Sequence, residues 1–122
     1  AFQLHERAAA QGHARAQNTL GSYYEQGEGV KINNKAAAQW YRRAADQGHP
    51  GAQCNLGAMV YEGLGSHEEA MRWFSLASAQ GNADALYDLG GCYADGEGVP
   101  QDLEEALRLF KRAAAKGHAD AA

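Results

Sequence analysis

Five histidines, two cysteines, two adjacent glutamate pairs and two Gly-Glu-Gly turns are the groups in this chain that could do chemistry. Gly27-Glu28-Gly29 and Gly96-Glu97-Gly98 resemble part of a phosphate-binding loop. A dinucleotide fingerprint also needs a preceding strand and a third glycine, and neither is present, so the pairs read as turns. Among the histidines, His13, His49 and His118 stand at equivalent points of a repeating pattern. Helices packed ~8–10 Å apart hold such positions too far from one another for a single zinc ion with ~2 Å bonds. His67, beside Glu68 and Glu69, reads as an exposed loop residue. Glu68-Glu69 and Glu104-Glu105 are neighbours in sequence, and adjacent residues on a helix do not face each other, so neither pair reads as a general acid and base. No Ser-His-Asp or Cys-His signature is visible. The expectation is a protein that is not an enzyme and that carries no metal site and no cofactor.

Cys92 aligns with Tyr23 and Met59, on the packed side of its helix, whereas Cys54 aligns with Asn18 and Tyr87, on the opposite side. A disulfide needs Cα atoms within ~7 Å, so two free thiols are expected, which fits a reducing compartment.

The positions of these groups depend on a stretch that the chain writes three times. Leu20-Gly21-Ser22-Tyr23-Tyr24-Glu25-Gln26-Gly27-Glu28-Gly29-Val30 returns from Leu56 and again from Leu89, with the leucines 36 and then 33 residues apart. A period in that range marks stacked helical repeats. Thirteen of the fifteen glycines fall at four recurring positions, and only Gly51 and Gly91 are extra. Gly12, Gly48, Gly81 and Gly117 suit the position just past a helix C-terminus. His13, His49, Asn82 and His118 then suit the N-cap of the next helix. First helices are predicted over residues 14–26, 50–62 and 83–95. Second helices are predicted over 34–47, 67–80 and 102–116, with Asp102 as a cap. The first helices bury Ala16, Leu20 and Tyr24 and their equivalents, and Gly21 admits a close neighbour. The expected buried stripe of the second helices is Ala37, Trp40 and Ala44, then Ala70, Trp73 and Ala77, then Ala106, Leu109 and Ala113.

Residues 1–12 read as the second helix of a truncated repeat. Residues 13–48, 49–81 and 82–117 are three repeats, and 118–122 begin another, all in one repeat domain spanning 1–122. The chain therefore reads as a fragment of a longer protein. Composition agrees with a soluble globular chain: 45 % hydrophobic, 21 % charged, net charge -4. No apolar run approaches the ~20 residues of a membrane span. Mild acidity argues against a nucleic-acid partner.

The recurring residues resemble the Sel-one-like repeat (SLR) family, which is related to the tetratricopeptide repeats. The resemblance rests on Ala16, Leu20, Gly21, Tyr24, Gly27, Gly29, Val30, Lys35, Ala36, Trp40, Tyr41, Ala44, Ala45 and Gly48. It recurs in the third unit from Ala85 to Gly117. The middle unit departs at Val60, lacks the valine after Leu64-Gly65, and has a loop three residues shorter. The resemblance implies an all-α fold, a right-handed α-solenoid of stacked antiparallel helix pairs. It also implies a scaffold or adaptor that binds proteins, of a kind similar to those in bacterial signalling or virulence and in eukaryotic protein quality control. Family members with paired cysteines in each repeat are similar in fold, but this chain lacks that pattern.

In such a stack the first helices line a concave groove. Helical geometry then turns Asn18, Ser22 and Glu25 outward, with Cys54, Ala58 and Tyr61 and with Tyr87, Gly91 and Ala94 at the matching positions. Asp88 joins them on charge. The first-helix segments are net acidic and the second-helix segments net basic, with Asp84, Asp88, Asp95 and Glu97 dominating. The expected partner is a protein or peptide, basic or amide-rich, held by Asn18, Ser22, Glu25, Cys54, Tyr61, Tyr87 and Asp88. Tyr61 and Tyr87 could equally serve to cover the neighbouring repeat. Two other functions stand beside this one, the first implied only by the family resemblance, since the nucleophile beside a base that it needs is not visible. One is an enzyme-like binder of β-lactams or peptidoglycan fragments. The other is a structural spacer that associates end to end.

Overall fold

The computed structural model describes residues 7, 9, 11–27 and 29–117. The truncated-repeat helix expected over residues 1–12 lies largely outside them, as do Glu28, His118 and the repeat expected to begin at 118–122. The described residues form α1 (Ala14–Gln26), α2 (Asn34–Asp46), α3 (Pro50–Met59), a π-helical turn (Val60–Leu64), α4 (His67–Ala79), α5 (Ala83–Asp95) and α6 (Leu103–Ala115). No strand occurs among them. None of these helices is long and apolar enough to cross a membrane.

Helix boundaries follow from local chemistry. Side-chain oxygens of Asn33, Ser66, Asn82 and Asp102 accept from the backbone N–H three residues on, at 3.0, 3.1, 2.9 and 3.1 Å. Each satisfies an amide that the first helical turn leaves unpaired. At the corresponding point before α3, His49 uses Nδ1 to accept from Ala52 N–H at 3.0 Å. His13 makes no such side-chain bond. The far ends close on glycine: Gly48 and Gly81 have φ of +88° and +86°. That left-handed turn lets His49 N–H reach the Ala44 carbonyl and Asn82 N–H reach Ala77, each at 3.2 Å.

The chain forms two compact units, Ala1–Leu56 and Gly57–Ala122. In the first, α1 packs on α2. Asn33 N–H donates to the Tyr24 carbonyl at 2.8 Å, and Gln47 Nε2 to Gln17 Oε1 at 2.7 Å. Opposite ends thus meet, and the pair is antiparallel. In the second, α4 packs on α5 and α5 on α6. Asp102 N–H donates to the Tyr93 carbonyl at 2.9 Å, making the α5–α6 pair antiparallel too.

The second-helix stripe buries its expected alanines and Leu109, but in the first two repeats the residue after each tryptophan takes the buried aromatic place. Tyr41 and Phe74, 1 % and 2 % exposed, are the buried aromatics, while Trp40 and Trp73 are half-buried. The Arg43 guanidinium lies 4.7 Å above the Trp40 ring. The cause is the glycine of each Leu-Gly pair. A Cβ on Gly21 would stand 2.7 Å from the Tyr41 ring, one on Gly57 2.8 Å from Phe74, and one on Gly90 2.8 Å from Phe110. Each glycine makes room for the aromatic that follows the tryptophan position. In α6, Leu109 is buried and Phe110 half-buried.

The middle unit differs most. The helix expected to run to 62 ends as an α-helix at Met59, and the chain widens into the π turn, with Gly63 at φ +146°. With three residues fewer in the loop, Ser66 takes the cap and His67 becomes the first residue of α4. His67 is therefore not a loop residue, as its position beside Glu68 and Glu69 had implied.

Candidate functional site

A recess of about 290 Å³ opens in the second unit, lined by Ala58, Tyr61, Glu62, Phe74, Tyr87, Asp88, Gly91, Cys92 and Asp95. α3 supplies Ala58, and the π turn supplies Tyr61 and Glu62. α5 supplies Tyr87, Asp88, Gly91, Cys92 and Asp95, and the buried Phe74 ring of α4 also contributes. Four of these residues lie on one face of α5, because 87, 88, 91 and 95 follow the three-and-four spacing of a helix. Tyr61 stands on the wall from within the π turn at Val60–Leu64.

Both tyrosines are held. Tyr61 stacks on the His67 imidazole with centroids 4.4 Å apart, and its hydroxyl donates to Glu97 Oε2. His67 Nδ1 is 3.9 Å from the same carboxylate oxygen. Tyr87 tilts against Phe110 at 5.4 Å. The two rings thus cover neighbouring side chains and line the recess at once. Cys92 is buried in the lining. Burial, and then the charges of Asp88 and Asp95, push its thiol up to about 11. A thiol so placed is a poor nucleophile at neutral pH. Among the described residues no cluster of His, Cys, Asp and Glu could hold a metal ion.

Of the residues expected in a groove, the structure brings Tyr61, Tyr87 and Asp88 together. It places the others differently. Asn18 accepts from Asn55 Nδ2 at 3.0 Å. Glu25 Oε1 accepts from the Tyr41 hydroxyl at 2.7 Å, and Ser22 also bonds that hydroxyl. Asn18, Ser22 and Glu25 are half-buried in the first unit, with partners inside it. Cys54 is 6 % exposed and does not face outward. Helix α3 also buries Ala52, Gln53, Leu56 and Met59, so Cys54 falls within its buried side. Both cysteines are free thiols. Sequence reasoning missed Glu62, Phe74 and Cys92, the last having been assigned to the packed side of its helix. Phe74 was legible as the residue aligned with Tyr41 and Phe110, opposite the Leu-Gly glycine. Glu62 was not, because its place depends on the π turn.

The helix-pair arrangement can be set beside known proteins. The Sel1 repeat family model matches four times in succession, at residues 1–13, 14–49, 50–82 and 83–118. No curated protein matches the sequence. Among solved structures, c5321, a protective antigen present in uropathogenic Escherichia coli strains and displaying an SLR fold, is 38 % identical with a TM-score of 0.91. The match covers 96 % of this chain and 26 % of that one. A Sel1 repeat protein from Oxalobacter formigenes is also 38 % identical, with a TM-score of 0.84 over 92 % of this chain and 47 % of its own. Helicobacter pylori cysteine rich protein B shares the fold at 22 % identity and a TM-score of 0.75, over 94 % of this chain and 90 % of its own. The chain thus spans about a quarter of the first of these proteins and just under half of the second. The shared fold is an α-solenoid of helix pairs, and proteins built this way are in general non-catalytic scaffolds for protein interaction. With Leu-Gly glycines seating aromatics in each unit and the family pattern recurring in register along its length, the chain belongs to the Sel1 repeat family.

Proposed function

We propose that this chain is a non-catalytic protein-binding module and that its recess at Tyr61, Tyr87 and Asp88 holds a segment of a partner protein. The observation that carries this reading is the pairing of two half-buried tyrosines, each fixed by a neighbour, over an open pocket. Exposed aromatics held in place cost little entropy on binding and are common anchors of protein interfaces. The test is a selection of displayed peptides on the intact chain, followed by affinity measurement with a Tyr61→Ala/Tyr87→Ala double variant. Selected peptides should lose at least about tenfold in affinity, the effect of an anchor worth ~1.4 kcal/mol. Peptides that bind wild type and double variant equally would overturn the reading. Circular dichroism of the double variant must show retained helicity.

The enzyme-like alternative gains nothing from the two thiols, since both are buried and Cys92 is held protonated. A second reading, association with another copy, is favoured by one observation. Leu103 and Leu107 on α6 are 65 % and 54 % exposed. One repeat earlier, the position matching Leu107 is Met71, which is buried against the turn at Gly98. The uncovered α6 face therefore has the character of a repeat-to-repeat surface. Sedimentation should show concentration-dependent association that Leu107→Lys abolishes; a strictly monomeric profile sinks this second reading.

A further inference from the structure

The recess has a chemical signature narrower than a general protein contact. Its lining carries three carboxylates, Glu62, Asp88 and Asp95, two tyrosine rings, and no lysine, arginine or histidine. Its floor is apolar, formed by the buried Phe74 and Cys92 with Ala58 and Gly91. The volume of about 290 Å³ is at the lower edge of the ~300–1,000 Å³ typical of small-molecule sites. It suits one long side chain better than a whole ligand.

Gly91 adds an independent observation. It lies inside α5, where glycine is costly relative to alanine. A Cβ built on it would meet nothing within 4 Å, so packing gives no reason for its presence. The repeat-equivalent residues are Ser22 and Ala58. The missing side chain leaves open space on the recess floor, beside the carboxylates.

Resting on the reading of the recess as the protein-binding site, we propose that it receives an arginine side chain of the partner, its stem over Gly91 and its guanidinium against the tyrosine rings and the carboxylates of Asp88, Asp95 and Glu62. A guanidinium is planar, stacks on aromatic faces and bonds carboxylates in bidentate fashion, and a lysine ammonium offers only a point charge. Tyr61, held by His67 and Glu97, and Tyr87, held by Phe110, present their rings already ordered. The negative potential of Asp88 and Asp95 extends to the floor, where both raise the Cys92 thiol after burial has done so.

The experiment uses fluorescein-labelled heptapeptide pools, Gly-X-X-Z-X-X-Gly, in which Z is arginine, citrulline or leucine. Citrulline keeps the shape of arginine without its charge. Anisotropy titrations of the intact chain should show the arginine pool binding at least about tenfold tighter than the citrulline pool, the size expected for a charge-assisted hydrogen bond. An Asp88→Asn/Asp95→Asn variant should reduce that preference to less than about twofold. Gly91→Leu, whose Cβ has open space around it and whose side chain would fill the recess, should abolish binding of the arginine pool while circular dichroism shows retained helicity. Citrulline or leucine pools that bind as tightly as arginine would overturn the arginine assignment and leave the protein-binding reading standing. Failure of all pools, while displayed peptides still depend on Tyr61 and Tyr87, would overturn only the arginine assignment. Binding insensitive to both tyrosines overturns the two together.

Discussion

Gly21, Gly57 and Gly90 are the residues on which each helix pair closes. At Gly57 a Cβ would lie 2.8 and 2.9 Å from Phe74 ring atoms and 3.3 Å from Trp73 Cβ, in a part of the core with no slack. Gly57→Ala should therefore destabilise by about 1–3 kcal/mol through overpacking, despite alanine's better helix propensity. A melt at or above the wild-type midpoint would contradict this. Tyr41 is the aromatic seated by Gly21, and it differs from the tryptophan before it. Truncation of the buried Tyr41 to alanine should cost about 3–5 kcal/mol. Trp40→Ala should cost clearly less, because that ring is half-buried under Arg43. Burial, and then the hydrogen bond and charge of Glu25, hold the Tyr41 hydroxyl protonated well above the ordinary tyrosine value of 10.0. A raised value means that this contribution is whole below about pH 10 and is lost as pH climbs toward the shifted value. The stability advantage of wild type over Tyr41→Phe should accordingly shrink above pH 10, as followed by urea melts. Gln17 and Gln53 show the same economy at a buried polar position: Nε2 of each donates to a carbonyl eight residues earlier, Ala9 at 3.1 Å and Ala45 at 3.3 Å.

Helices in this chain begin where a side chain accepts from the first turn, and one of these caps titrates. His49 Nδ1 can accept from Ala52 N–H only while it is unprotonated. Burial, and then the charge of Arg15, lower its pKa below the ordinary 6.5. For a lowered value the stabilisation is present above the unfolded-state pKa and is lost as pH falls through the folded one. Wild type should lose stability below about pH 6.5 more steeply than His49→Asn, which keeps an acceptor at every pH as Asn82 does in the next repeat. Parallel acid profiles for the two proteins would show that the cap is not titrating. The π turn at Val60–Leu64 is the other departure at this scale. It spans the shortened loop and carries Tyr61 at the recess wall, a position occupied by Glu25 in the first repeat and Ala94 in the third.

Across the molecule, a net charge of -4 is distributed unevenly, with acids concentrated on the first-helix segments near the C-terminal end. Asp88, Asp95 and Glu62 meet at the recess, and Glu97 engages Tyr61 behind it. Attraction between this surface and a basic peptide is screened over a Debye length of about 8 Å at physiological ionic strength. Peptide affinity should therefore fall as salt rises from 50 to 500 mM (roughly a range from weak to strong screening), measured by anisotropy. Affinity that rises with salt would assign the binding to apolar contact alone.

The sequence by itself determined the architecture. Period, glycine punctuation and cap residues are local signals, each fixed by the backbone geometry of one or two residues, so they placed six helix positions and the α-helical repeat class. It also pointed to two free thiols, as found, although the outward Cys54 on which that expectation rested is buried. Only the tertiary structure decided which side of each helix is truly buried. Neighbouring stripes on a helix are separated by about 100°, and the choice between Trp40 and Tyr41, or between an open and a buried Cys54, depends on where the next helix lies. The same reason governs the site. Tyr61, Tyr87 and Asp88 were legible as an outward row. Their convergence with Glu62 and Phe74 involves a widened turn and a glycine-seated ring, which depend on contacts between residues far apart in the chain.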